Sequence, residues 1–179
     1  MLQLRTRGGR ALVLPSVFFG LLVAMGCGDS PSEPSFGIED MVGTYALTQL
    51  AFDPQGVLPE ANVLAELGTT PQLVVTANRQ AQVVFEDPAS GLFTTIGATV
   101  RVTSSGLRID FNSGSAYRGL LLSRRLEFTY TAETRTLSFD GDAPDGVDRQ
   151  RLIQFVPGWA NEQLLNPVPG RLRVTFRVQ

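Results

Sequence analysis

The chain has no histidine and no lysine, and its single cysteine is Cys27. Without histidine, no His-dependent nucleophilic triad can be built and no metal can be held through imidazole. One thiol cannot close an intrachain disulfide. Long apolar runs are equally scarce: no stretch after Cys27 approaches the roughly 18 continuous apolar residues of a membrane-crossing helix. All 15 basic residues are arginine, and three of them, Arg5, Arg7 and Arg10, precede Cys27. All 17 acidic residues follow it, so the part from Cys27 onward carries 12 arginines against 17 carboxylates, near −5. With no basic run, that part lacks the electrostatic footprint of a nucleic-acid binder, and no nucleic acid is expected as a partner.

What is present is ordinary globular composition, 43% hydrophobic and 18% charged, which argues for a packed core instead of a disordered chain. About 150 residues follow the first 26, enough for one domain. Those first 26 residues have a different character. Arg5, Arg7 and Arg10 form a positive start, and Ala11 to Met25 is nearly all apolar, interrupted by Pro15, Ser16 and Gly20. This is the layout of a signal peptide.

The run ends in Ala24-Met25-Gly26-Cys27, which resembles the lipobox of bacterial lipoproteins, although Ala24 stands where Leu is common. The resemblance implies a diacylglycerol thioether on Cys27 and cleavage before it. Several acyl chains, each contributing about 0.8 kcal/mol per buried methylene, would then hold the protein on a membrane. It also implies export to the bacterial cell envelope. Gly28 instead of Asp directly after the cysteine favours the outer membrane. Residues 28–35, rich in Ser and Pro, suit a flexible tether. The expected organisation is a leader over residues 1–26, a tether over 27–40 and a domain over 41–179.

That domain reads as strands. Leu172, Val174, Phe176 and Val178 alternate with Arg171, Arg173, Thr175 and Arg177, giving one apolar and one charged face. Residues 96–102, 107–111 and 126–130 alternate in the same way. Shorter candidates are Thr44–Phe52, Gln72–Ala77, Ala81–Glu86, Thr136–Asp140 and Arg151–Val156, with Ser-, Gly-, Asn- and Pro-bearing turns between them. Helix is expected at Pro59–Leu67, with a turn or two at Trp159–Leu165. Eight or nine strands in sequence with little helix predict an all-β, antiparallel up-and-down barrel, with a sandwich as the alternative.

Gly43-Thr44-Tyr45 opens the first strand, and the chain ends in an arginine-bearing strand. This resembles the lipocalin-like, or calycin-type, plan, in which Gly-x-Trp begins strand one and a late arginine packs across the Trp. The resemblance makes Tyr45 the stand-in for the Trp and one of Arg171, Arg173 and Arg177, with Arg173 preferred, its partner in closing the barrel. It implies a small apolar ligand inside the barrel. The alternative is a packed barrel serving as a structural or protein-interaction module.

Asp140, Asp142, Asp145 and Asp148 form the densest carboxylate cluster and are the candidates for a hard cation such as calcium. Their spacing does not fit an EF-hand loop, and Asp, Gly and Pro also make ordinary turns. Neither a metal nor any other cofactor is therefore expected. Glu127 and Asp110 lie on polar strand faces, with nothing to bring them together as a catalytic pair, so the chain is not expected to be an enzyme. Arg124-Arg125 and Arg149-x-Arg151 offer cationic points, but neighbours on a strand face opposite ways. The expectation for Cys27 is directly testable: a fed radiolabelled fatty acid should appear on the wild-type protein and vanish in Cys27→Ser. An unlabelled wild type would remove the anchor.

Overall fold

A computed structural model describes residues 36–179, apart from 57, 88, 89, 113 and 115. The leader, Cys27 and the tether up to residue 35 lie outside the described residues. In chain order the elements are β1 (Gly43–Asp53), β2 (Ala61–Asn62), β3 (Gln72–Val75), β4 (Gln80–Asp87), β5 (Leu92–Val102), β6 (Gly106–Phe111), β7 (Arg125–Thr131), β8 (Thr136–Asp142), α1 (Arg149–Phe155) and β9 (Arg171–Val178). Every strand pairing is antiparallel, and β1, β3, β4, β5, β6, β7, β8 and β9 follow one another around a ring that β9 closes onto β1. The two-residue β2 extends the β3 edge along the far half of β1, at Ala51 and Phe52. The fold is thus an all-β, eight-stranded antiparallel barrel with one short helix.

Closure requires an adjustment in β1. Leu47 pairs with Phe176 and Gln49 with Thr175, so Thr48 is an extra residue. Its hydroxyl donates to the Thr175 carbonyl at 3.2 Å. The bulge switches the inward phase: Tyr45 and Leu47 point inward before it, Leu50 and Phe52 after it. A long strand can in this way bend around the ring while still presenting apolar residues to the core. Gly106 answers a different demand, because a Cβ there would collide with the Phe128 carbonyl across the β6–β7 ladder.

The inward positions are filled. Tyr45, Phe52, Phe85, Phe128 and Phe176 are all among the largest fully buried side chains, together with leucines and valines from every strand of the ring. Phe128 holds the middle, edge-on to Phe139 at 6.3 Å and to Phe176 at 6.0 Å between ring centroids.

The two ends of the barrel differ. At one end the strands are joined by three tight turns, residues 76–79, 103–105 and 132–135. At the other the β4–β5 connection spans only residues 88–91, but the remaining three are longer, and two of them fold apolar residues over the core. Residues 112–124 supply Leu120, Leu121 and Leu122, and residues 143–170 supply Leu152, Phe155 and Trp159.

Two sequence expectations are corrected here. Arg151–Val156 is not a strand but most of α1: Asp148 caps it, accepting from the Arg151 amide at 3.0 Å, and Leu152 and Phe155, three apart, share the buried face. Pro59–Leu67 is not an α-helix. Ala61–Asn62 pairs with β1, and Val63–Glu66 makes a single 3-10 turn that buries Val63. Pairing with a waiting strand edge outweighs the local helix preference. Because Phe128 is fully buried against Phe139 and Phe176, Phe128→Ala is expected to lower unfolding free energy by about 3–5 kcal/mol in denaturant titration. A loss under about 1 kcal/mol would mean the interior is looser than these contacts describe.

Candidate functional site

Tyr45 lies where the sequence places it, at the start of β1, with its side chain buried at the tight-turn end. Its hydroxyl donates to the Met41 carbonyl at 2.7 Å. Tyr130 donates to the preceding carbonyl, Asp40, at 2.7 Å, and Arg135 to the following one, Val42, at 2.9 Å. Three consecutive carbonyls of the 3-10 turn Glu39–Met41 and its exit are therefore held by three side chains, while Met41 and Ile38 seal the core and Phe36 stacks edge-on against Tyr130 at 5.5 Å. Burial, and then the nearby Tyr130, push the Tyr45 phenol above its ordinary range, and Arg135 opposes them. The raised value keeps Tyr45 a protonated donor.

The arginine beside Tyr45 is thus Arg135, from the β7–β8 turn, and not Arg173. Arg173 pairs in register with Ala51, six residues along β1 from Tyr45, and its guanidinium is outside the barrel, bonded to Glu60 and, at 3.3 Å, to Asp140. Arg171 also meets Asp140, at 2.6 Å. Arg177 pairs with Thr136 and Ala46 on the outward face. The reason is phase: on β9 the arginines occupy the face opposite Leu172, Val174 and Phe176, so none can reach an inward tyrosine.

The four aspartates proposed as cation ligands go separate ways. Asp140 takes the two arginines, Asp142 accepts from the Gln55 amide at 2.8 Å, Asp145 from the Arg124 backbone at 3.3 Å, and Asp148 caps α1. Among the described residues no group of three or more metal-ligating side chains converges.

Sequence reasoning did not anticipate a groove on the outside of the barrel. β7 and β8 pair only at Thr129–Ser138, Tyr130–Leu137 and Thr131–Thr136. Beyond that they part: residues 125–128 pair only with β6, and residues 139–142 only with β9. A concavity of about 820 Å³ spans this split and the outer faces of β5 and β6. Its lining includes Arg101, Arg108, Arg124, Arg125, Asp110 and Glu127, with Phe139 and Pro144 as apolar members. Asp110 accepts from Arg125 at 2.6 Å and from Arg108 at 3.2 Å. Burial works to raise its carboxyl, but the Arg125 hydrogen bond and the charges of Arg108 and Arg125 outweigh it and hold Asp110 below the usual carboxylate range. Arg124 and Arg125 share the groove because Arg124 precedes β7, where strand alternation does not yet apply.

Two smaller concavities, of about 220 and 240 Å³, lie among the long connections, one between residues 117–122 and 145–148 and the other between residues 54–58 and 162–164. No protein-family model matches the chain, and no curated protein matches it.

The tyrosine geometry gives a prediction: Tyr45→Phe keeps the ring but strands the buried Met41 carbonyl, at a cost of about 1–3 kcal/mol in unfolding free energy. An unchanged stability would mean that the turn is held without Tyr45.

Proposed function

We propose that this chain is an envelope lipoprotein, exported and anchored through lipid on Cys27, whose barrel is a packed scaffold working by its outer surface as a structural or protein-interaction module. The observation that carries the second half is the interior. Tyr45, Phe52, Phe85, Phe128 and Phe176 occupy the space where a lipocalin-type barrel would hold its ligand, and both ends are covered by apolar residues. A ligand pocket of useful size measures about 300–1,000 Å³. Of the three concavities described above, the groove outside the ring falls in that range, and the two among the long connections fall below it.

The first half rests on the sequence: an apolar leader ending at the only thiol, followed by a Ser- and Pro-rich spacer. Kinship with lipocalin-like barrels is supported by the Gly43-Thr44-Tyr45 opening, the meander of eight strands and an arginine beside Tyr45, supplied by Arg135. In this reading the protein is not an enzyme. Asp110 and Asp140, each held by two arginines, are spent on those arginines.

Native mass spectrometry of the purified protein, together with titration of the hydrophobic probe anilinonaphthalene sulfonate, tests the scaffold reading. The expected mass is that of the lipidated chain alone, with no saturable probe binding. A stoichiometric apolar molecule that survives purification, and is displaced by the probe, would establish an interior ligand site instead.

A further inference from the structure

β5 runs past the strand beside it. Residues 98–102 pair with β6, whereas residues 92–96 pair with β4 alone. The Val100 amide bonds to the Arg79 carbonyl at 3.0 Å, and the Gly97 carbonyl accepts from the Asn112 amide at 2.9 Å. Even-numbered residues of β5 therefore bond toward β4, and odd-numbered ones toward the β6 side. At Phe93 and Thr95 that side is open: among the described residues neither has a backbone partner there. Both side chains are exposed, Phe93 at 72%, and Leu92 beside them is 68% exposed. Leu92 and Phe93 are two of the three large hydrophobic side chains that stand in solvent among the described residues.

An unpaired edge is a template for another strand unless something guards it, and charge is a common guard against pairing with a copy. Other strands of the ring carry that guard where they lose a neighbour, as at Arg125 and Glu127 on β7, Asp140 and Asp142 on β8, and Glu86 on β4. The open part of β5 has none: residues 91–100 hold no charge and no proline. The same feature names the occupant. From Cys27 onward the chain is near −5, so two copies repel over most of their surface. At this edge a second copy meets no like charge. It also presents the same two open residues in reverse order, which is what an isologous contact requires.

We infer that two copies of this chain pair antiparallel along β5, across a two-fold axis at Thr94, with Phe93 of each opposite Thr95 of the other. This names a partner for the outer surface of the scaffold and rests on that reading. Pairing exchanges the open amides and carbonyls of Phe93 and Thr95 and takes Leu92 and Phe93 out of water. Phe36 lies at the far, tight-turn end of each barrel, so the two N-terminal segments leave from opposite ends of the pair. Residues 28–35, at up to about 3.5 Å each, let both anchors reach one membrane with the pair lying along it.

Oxidative cross-linking of the full chain in cell membranes tests this. The Thr94 pair on the axis brings two Cα atoms to about 4.5 Å, within reach of a disulfide. Thr94→Cys should therefore give a covalent dimer on a non-reducing gel, at a yield about tenfold or more above Thr99→Cys, whose β6 side is already filled. No dimer from Thr94→Cys, or no more than from Thr99→Cys, would overturn the inference. Two changes placed in Thr94→Cys separate edge pairing from chance collision. Thr95→Pro removes an amide that bonds nothing within the ring, and Phe93→Glu puts a like charge on both edges. Each should lower the yield about tenfold or more, and a yield unchanged by either would sink the pairing. The parent chain, its one thiol carrying lipid, should give no dimer. A dimer there would remove the anchor and not the pairing, which would then be read in Cys27→Ser. A monomeric Thr94→Cys leaves the packed interior standing, since only an interior ligand overturns that.

Discussion

The ladder between β1 and β9 is the interaction on which the rest of this molecule depends. A sheet of eight short strands has two edges, and both are liabilities unless they find each other. Here the first strand of the ring and the last meet over eight register pairs, with one bulge at Thr48. That bulge lets an 11-residue strand turn through the ring without exposing its apolar face. Once the ring is closed, inward positions of all eight strands converge on one axis, and their side chains must fill it or leave a cavity. In this chain the residues are large enough to fill it.

Filling the interior moves any function to the outside and to the ends. The two ends are built differently for a topological reason: one carries tight turns that leave no chain to spare, so its cover comes from the segment before β1. The other carries long connections that fold back as lids of Leu, Phe and Trp. On the outer wall the ion pairs are mostly exposed and individually weak. Among the described residues Arg79, Arg101, Arg118, Arg124 and Arg177 are left without an ion pair, and they are spread over turns and outer faces and not gathered at one place.

Much of this was legible in the residues. Period-two alternation located β1, β3 through β8 and β9 because each strand has one wet and one dry face, the condition under which alternation carries information. Where an element is not half-buried in that way, the pattern misleads. Leu152 and Phe155 sit in a short helix whose one decisive signal is the cap at Asp148, itself easily read as part of an acidic turn. The tyrosine–arginine contact was legible as a pair of residue types but not as a pair of positions. Tyr45 was found by its place in the strand, whereas Arg135 belongs to a turn at φ 45°, and nothing in its neighbours announces that it will reach back to Val42. The β7–β8 split was invisible, because it depends on how two strands diverge after their third pair and not on the composition of either.

The turn over the tight-turn end also has a mechanical meaning. Its three consecutive carbonyls are gripped from β1, from β7 and from the hairpin between β7 and β8. Tension entering the domain at Phe36 would meet them in order, first the Tyr130 bond at Asp40, then the bonds at Met41 and Val42. Each of those bonds anchors to a different part of the ring. The segment ahead of β1 is therefore a series of three restraints that a pull from the N-terminal side must pass before it reaches the β1–β9 seam.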